Sequence, residues 1–319
     1  MRTFEIKPAK RGKSNVLVAI VGYSDTGKTE SALRLATGFG GKIVVIDTEH
    51  GRSTIKADRY KFDILELEAP HGPLEYLAAG QAAEKAGAAT IIIDSMSHEH
   101  EGQGGLLELH KAAADRLKAK WSTTYEKAQM SAWNEPEVKP ARKQLLYWMT
   151  HSDCNFILCF RAREKMDLTN AAKPKKLGYM PVGGEEYFYE MTTRFLLFPE
   201  PKGVPQWQPE EEGEKAIIRK PDNAELAKIV NGQINEKMGA AMVAWASGET
   251  AAPPPTIEYA TKEQADEIVV EMKRLKFDRA TAKEWLAQYG ATKVTDIPLD
   301  RAIPALQELM KRKGPDDES

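Results

Sequence analysis

The octapeptide Gly22-Tyr23-Ser24-Asp25-Thr26-Gly27-Lys28-Thr29 follows directly on the apolar run 15–22 (NVLVAIVG) and opens a segment with helical spacing. The run is rich in β-branched residues and ends in a turn signal, the mark of a strand buried on both faces. The octapeptide fits G-x-x-x-x-G-K-[ST], a loop that curls around phosphate. Each residue type has a physical reason. Gly22 and Gly27 supply backbone geometry that side chains forbid. Successive backbone N–H groups of the loop, through Tyr23, Ser24, Asp25 and Thr26, turn toward phosphate oxygens, and the helix starting near Lys28 adds its positive end. Lys28 is placed to reach the β- and γ-phosphates and the Thr29 hydroxyl to ligate a metal ion. This loop calls for a nucleoside triphosphate, ATP with Mg²⁺.

The rest of the chain repeats that alternation. Apolar runs at 42–47, 60–67, 89–94 and 155–160 read as strands, with helical spacing over 73–86, 104–130 and from Pro140. Later strands are expected at 193–199 and 214–220, and a helix over about 224–246. Strands alternating with helices predict an α/β fold with a mainly parallel sheet. A Pro/Ala-rich linker at 247–257 then separates residues 1–246 from a small all-α domain at 258–313, with a disordered tail at 314–319.

Composition narrows the function classes. Charged residues make up 29% of the chain, yet the formal net charge is only −2, so any nucleic-acid role must rest on local basic stretches. Cys154 and Cys159 flank an apolar run and read as buried, reduced thiols. Two cysteines give neither a disulfide framework nor a zinc site. The segment 1–13 has no apolar core and does not read as a signal peptide, and no run of 18 apolar residues crosses a membrane. The cytoplasm is the expected compartment.

Two acids follow the next apolar runs. Asp94 ends TIIID, at the edge where open α/β sheets bind ligands, and is the candidate second metal ligand. Its competing reading is a cap for the following helix. VVIDTEHG offers Asp47 and Glu49 just after the second strand, with Glu49 reaching toward the γ-phosphate side as the residue that positions water or, alternatively, a solvated loop acid.

Together, GYSDTGKT (22–29), VIDTEHG (45–51) and IIIDSMS (91–97) resemble the RecA-type ATPase core in order and interval. The resemblance implies a RecA-like P-loop domain in which Glu49 is the catalytic glutamate. In that family the next core strand ends in a polar γ-phosphate sensor, usually glutamine; here NFILCF runs into Arg161, a departure that makes Arg161 the candidate sensor. The family also presents late-strand basic residues to a neighbouring subunit, which would fall on Arg219 or Lys220. RAREK (161–165), the segment 178–205 and a helical C-terminal domain are similar to RecA-like ATPases encoded beside phage recombination genes and linked to single-strand annealing. That resemblance implies self-association into a ring or filament, a recombination or single-strand-binding partner at the C-terminal domain, and the host cytoplasm for a phage-encoded chain.

The implied DNA contact is the segment 161–184, which reads as a long loop. It carries Arg161, Arg163, Lys165, Lys173, Lys175 and Lys176 against Glu164 and Asp167, with Tyr179 nearby, a composition suited to single-stranded DNA. The plain alternative is a solvated surface loop. His98 and His100 in SHEHEGQ are too few for a metal site and read as a loop beside the nucleotide, and the aromatics of EEYFYE (185–190) read as core rather than a base platform. The leading expectation is a DNA-stimulated ATPase of phage recombination. A DNA-translocating helicase or packaging motor, and a nucleotide-gated scaffold with little turnover, are the alternatives.

Overall fold

The computed structural model describes residues 13–167, 169, 174–211, 214, 217–219, 227–228, 230, 232–247, 260–289, 291–297 and 299–312. The chain divides into two compact units, residues 1–251 and 252–319. The expected linker and tail, Lys173 and Lys220 lie outside the described residues apart from Ser247.

The larger unit is built on a sheet whose central strands are apolar throughout: β1 (Leu17–Gly22), β2 (Ile43–Asp47), β4 (Thr90–Asp94) and the inner half of β5 (Asn155–Asp167). With β3 (Asp63–Glu66), β6 (Lys175–Pro181), β7 (Thr193–Leu197) and β8 (Pro205–Gln206) they form one sheet ordered β3-β2-β4-β5-β1-β7-β8, β6 pairing with β5 off this path. The six strands from β3 to β7 along that path are mutually parallel, and β6 and β8 are antiparallel additions.

Period-two alternation divides each central strand between two cores, as a sheet covered on both faces requires. Leu17, Ala19 and Val21 of β1, Val44 and Ile46 of β2, Ile91 and Ile93 of β4, and Phe156, Leu158 and Phe160 of β5 face one side. There they pack against α2 (Pro73–Lys85) and α6 (Lys139–His151). Val18, Ile20, Val45, Ile92, Ile157 and Cys159 face the other, under α1 (Lys28–Phe39) and the helix Glu236–Ala246 (α8). Both cysteines are buried and free. α1 and α8 approach so closely that a Cβ on Gly239 would lie 2.2 Å from the Leu35 carbonyl oxygen.

The remaining helices of this unit are α3 (Ser97–Glu101), α4 (Leu106–Trp121), α5 (Tyr125–Ala132) and α7 (Glu185–Glu190). Several expectations are corrected. The stretch 104–130 is not one helix: Ser122 takes a left-handed conformation (φ 47°) and separates α4 from α5. SHEHEGQ is largely a short helix, α3, and not a loop. Of the helix expected over 224–246, residues 224–226, 229 and 231 lie outside the described residues and 227–228 are helical; the described chain leaves the helix by Val230, and α8 begins at Glu236, where the Asn235 side chain accepts from Met238 N at 3.0 Å and caps it. Within 214–220, the described pairing is an isolated antiparallel bridge between Arg219 and Arg194.

The smaller unit is helical, as expected. It contains α9 (Lys262–Arg274), α10 (Arg279–Gln288) and α11 (Leu299–Lys311) around Ile268, Trp285, Ile297, Ala305 and Leu309. Thr261 and Gln264 form a capping box at the start of α9, and Asp278 caps α10 through Thr281 N at 2.7 Å.

Candidate nucleotide site

The loop 22–29 joins the end of β1 to α1, and its glycines are explained by contact. A Cβ on Gly22 would lie 2.5 Å from Thr26 Oγ1 and 2.9 Å from the Leu197 carbonyl, so the turn closes only with no side chain there. Gly27, at φ 83°, is the left-handed residue from which α1 starts. Thr26 is fully buried and donates to the Tyr23 carbonyl at 3.0 Å, fixing the curl. The Lys28 ammonium donates to the carbonyls of Gly22 (3.0 Å) and Tyr23 (2.5 Å), so it lies over the loop.

Strand order sets what faces the loop. β5 lies between β1 and β4, in register with both: Gly22 stands beside Arg161, and Asp94 beside Cys159. β2 continues the row, with Asp47 beside Asp94. The carboxyl ends of four parallel strands thus open on one cleft of about 450 Å³, lined in part by Lys28, Thr29, Glu49, Asp94 and Arg161. Thr29 Oγ1 donates to Asp94 Oδ2 at 2.6 Å. This brings the two sequence-assigned metal ligands into direct contact. Burial lifts the Asp94 carboxyl to about 6, partly offset by the Thr29 hydrogen bond and reinforced by the charge of Glu49.

Asp47 and Glu49 have different surroundings. Asp47 is buried and organises the turn: its Oδ1 accepts from Glu49 N (2.7 Å) and Gly51 N (3.3 Å), and its Oδ2 from Ser53 N (3.1 Å) and Ser53 Oγ (2.5 Å). The chain reverses through His50 and Gly51 at φ 57° and 75°. That turn projects Glu49 into the cleft, where Arg161 Nη2 donates to its Oε1 at 2.6 Å and Arg52 lies 3.7 Å from its Oε2. The residues expected to position water and to sense phosphate are therefore ion-paired with each other. Behind them, Thr48 Oγ1 accepts from Ser95 N at 2.9 Å and meets His98 Nδ1 at 2.8 Å, and burial holds His98 below its ordinary pKa.

Sequence reasoning missed two cations of this cleft. Arg52 and Lys56 line it from a 3₁₀ turn (Arg52–Lys56) that no motif announces. Lys56 pairs with Glu30 at 2.7 Å, which also accepts from Tyr60, whose hydroxyl is pushed up to about 12 by burial first and then by Glu30. The spacing of Gly51 and the basic residues after it was a usable signal only once the turn was known.

Among the described residues no group of three or more potential ligands could hold a metal ion. Glu99 and Arg142 instead form a buried bidentate pair, Nε to Oε1 at 3.0 Å and Nη2 to Oε2 at 2.8 Å. Glu99 holds the guanidinium strongly protonated against the cost of burial. His100 Nδ1 sits 3.0 Å from Arg142 Nη2.

The segment 161–184 is not the long loop its polarity suggests. β5 continues past the cleft to Asp167 and pairs antiparallel with β6; Lys173, between the two in sequence, lies outside the described residues. Several of its basic residues meet acids, among them Arg161 with Glu49, Arg163 with Glu101 at 2.9 Å and Lys176 with Glu164 at 2.6 Å. In EEYFYE, Tyr187 and Phe188 are core, as expected, while Tyr189 is exposed. Arg219 does not line the cleft.

A parallel sheet with a P-loop at the end of one strand, and a buried aspartate ending a second strand with one strand between them, defines a P-loop ATPase core. A family model described as an AAA domain matches residues 14–195, more than half of the chain, and the chain belongs to this family. No curated protein and no solved structure matches the chain. No helix among the described residues is long and apolar enough to cross a membrane.

Proposed function

We propose that the chain binds Mg²⁺–ATP in the cleft at Gly22–Thr29, hydrolyses it, and uses the cycle to act on single-stranded DNA in phage-type recombination and annealing. The observation that carries the nucleotide part is the convergence of Lys28, the Thr29–Asp94 pair and Glu49 on one cleft. The residues fit the group. The turn at Gly22 leaves no room for a Cβ, Thr29 and Asp94 are hard oxygen donors in contact, and Lys28, Arg52, Lys56 and Arg161 supply positive charge. In this reading Lys28 holds the β- and γ-phosphates, and Thr29 and Asp94 hold Mg²⁺, Asp94 through water. The metal would neutralise charge on the phosphates. Glu49 orients the attacking water, and Arg161 faces the γ-phosphate end.

The DNA part rests on the β5–β6 hairpin. It extends from the strand whose inner half lies beside the P-loop, and carries Arg161, Arg163, Lys165, Lys175 and Lys176. Phosphate contacts by such residues make binding salt-dependent. Self-association into a ring or filament, with Arg219 or Lys220 reaching a neighbouring subunit's nucleotide, and recruitment of a recombination or single-strand-binding protein by the helical C-terminal unit, complete the proposal.

The test is ATP hydrolysis with and without single-stranded DNA, for wild type, Lys28→Ala and a Lys173/Lys175/Lys176 triple alanine. Lys28→Ala is expected to abolish turnover, and the triple variant to hydrolyse ATP without responding to DNA. Wild-type turnover that ignores DNA would sink the recombination reading and leave the ATPase. Turnover accompanied by directional strand displacement would replace it with a translocating motor.

A further inference from the structure

Tyr23, the second residue of the P-loop, faces two ways. Its carbonyl accepts from Lys28 Nζ (2.5 Å) and Thr26 Oγ1 (3.0 Å), so its backbone belongs to the loop. Its side chain leaves the loop for the hairpin. The hydroxyl accepts from Glu164 N at 3.3 Å, and the ring meets the Tyr179 ring edge-on at 5.0 Å. Glu164 and Tyr179 are directly paired across β5 and β6, so Tyr23 touches both arms at one rung.

That rung is anchored on its far side. Tyr179 meets Phe198 edge-on at 5.2 Å, just past the end of β7, and its N–H donates to Glu214 Oε1 at 3.1 Å. Glu214 is buried, and its Oε2 accepts from Glu210 N at 2.9 Å. The rung therefore has a fixed seat, and Tyr23 connects it to the loop.

We infer that Tyr23 is a positioning residue that couples occupancy of the nucleotide cleft to the conformation of the β5–β6 hairpin; this rests on the proposed nucleotide site. The Lys28 ammonium has three N–H donors and gives two of them to the Gly22 and Tyr23 carbonyls, and phosphate oxygens in the loop compete with those carbonyls for it. Its transfer to phosphate frees the Tyr23 peptide, and the phenol carries that change to Glu164 and Tyr179. A polyanion gripping the hairpin biases the same contacts in reverse, since coupling between two sites is reciprocal. Ordinary packing of an aromatic residue would produce the same rings but no nucleotide-dependent response.

Hydrogen exchange read by mass spectrometry tests this on the full chain without DNA. The probe is the β,γ-imido analogue of ATP with Mg²⁺, at concentrations that saturate each protein. Peptides over 161–181 are expected to change exchange rate by about fivefold or more in the wild type when the analogue binds. Tyr23→Phe keeps the ring but removes the acceptor for Glu164 N–H; Tyr179→Ala removes the ring partner. Both are expected to lose that response, with peptides over β2 and β4 reporting that the fold is intact. A wild-type hairpin indifferent to bound analogue, or a full response in either variant, overturns the inference and leaves the nucleotide site standing. Failure of the analogue to bind the wild type would instead remove the proposed site itself.

Discussion

Arg161 Nη2 donates to Glu49 Oε1 at 2.6 Å across the mouth of the cleft, joining the end of β5's core segment to the turn after β2. The pair is partly solvated, so its own contribution to stability is small, about 0–1 kcal/mol. Its interest is chemical, because a triphosphate in the cleft competes with Glu49 for the guanidinium. Glu49→Gln is expected to lower ATP turnover by roughly 10²–10⁴-fold while a fluorescent ATP analogue still binds. Arg161→Ala also lowers turnover, and the double variant is expected to be no slower than Glu49→Gln alone. Steady-state kinetics check this; multiplicative losses would mean that the two residues act independently.

Asp94 predicts a pH dependence with a defined sign. Burial raises its carboxyl to about 6, so the folded state favours the protonated form. The stabilisation from this group is complete below about pH 4 and is lost as pH climbs through about 6. Asp94→Asn should therefore be more stable than wild type at pH 8, by on the order of 1–3 kcal/mol, with the gap closing toward pH 4. Urea unfolding at several pH values measures it. Mg²⁺-dependent nucleotide binding should weaken as pH falls through about 6, because in the proposed site Asp94 must be ionised to hold the metal's water.

Arg142 and Glu99 predict a strong non-additivity. Both side chains are at most 4% exposed, so removing Arg142 leaves Glu99 without its bidentate partner, and removing Glu99 leaves Arg142 with only the longer contact to Glu186 at 3.4 Å. Arg142→Met or Glu99→Gln should each cost about 3–5 kcal/mol. The double variant should recover much of that loss. Denaturant midpoints with unchanged slope would establish it, and two small independent losses would refute it.

Gly239→Ala reverses a common sign. In an open helix position alanine stabilises over glycine by about 0.4–1 kcal/mol. Here the added methyl would lie 2.2 Å from the Leu35 carbonyl and would force α1 and α8 apart. A loss of about 1–3 kcal/mol is expected, read as a lowered Tm.

The inner strands and the P-loop were legible in the sequence because both faces of the sheet are covered, which makes each strand a nearly unbroken apolar word. Asp94 and Glu49 could be placed at the cleft because they end or closely follow such words. The outer half of β5 was not legible. From Arg161 to Asp167 only Ala162 is buried, so burial leaves no pattern there, and the strand exists through its ladder to β6. Asp47 read as a candidate site acid because nothing in the local sequence reveals that four bonds from Glu49, Gly51 and Ser53 occupy it. Arg52 and Lys56 escaped notice for the same reason: their approach to the cleft depends on the turn that Asp47 builds.

β5 is thirteen residues long, one strand shared by the sheet interior and the hairpin. At about 3.3 Å per residue it is a rod of roughly 40 Å. Its inner half is bonded on both edges, to β1 and β4, and these ladders resist sliding along the strand axis. A load applied to the hairpin is therefore carried into the sheet as shear, passing first through Arg161 beside Gly22 and then Cys159 beside Asp94. A pull on the hairpin would thus reach the two positions that flank the cleft through the backbone ladders, independently of any side chain.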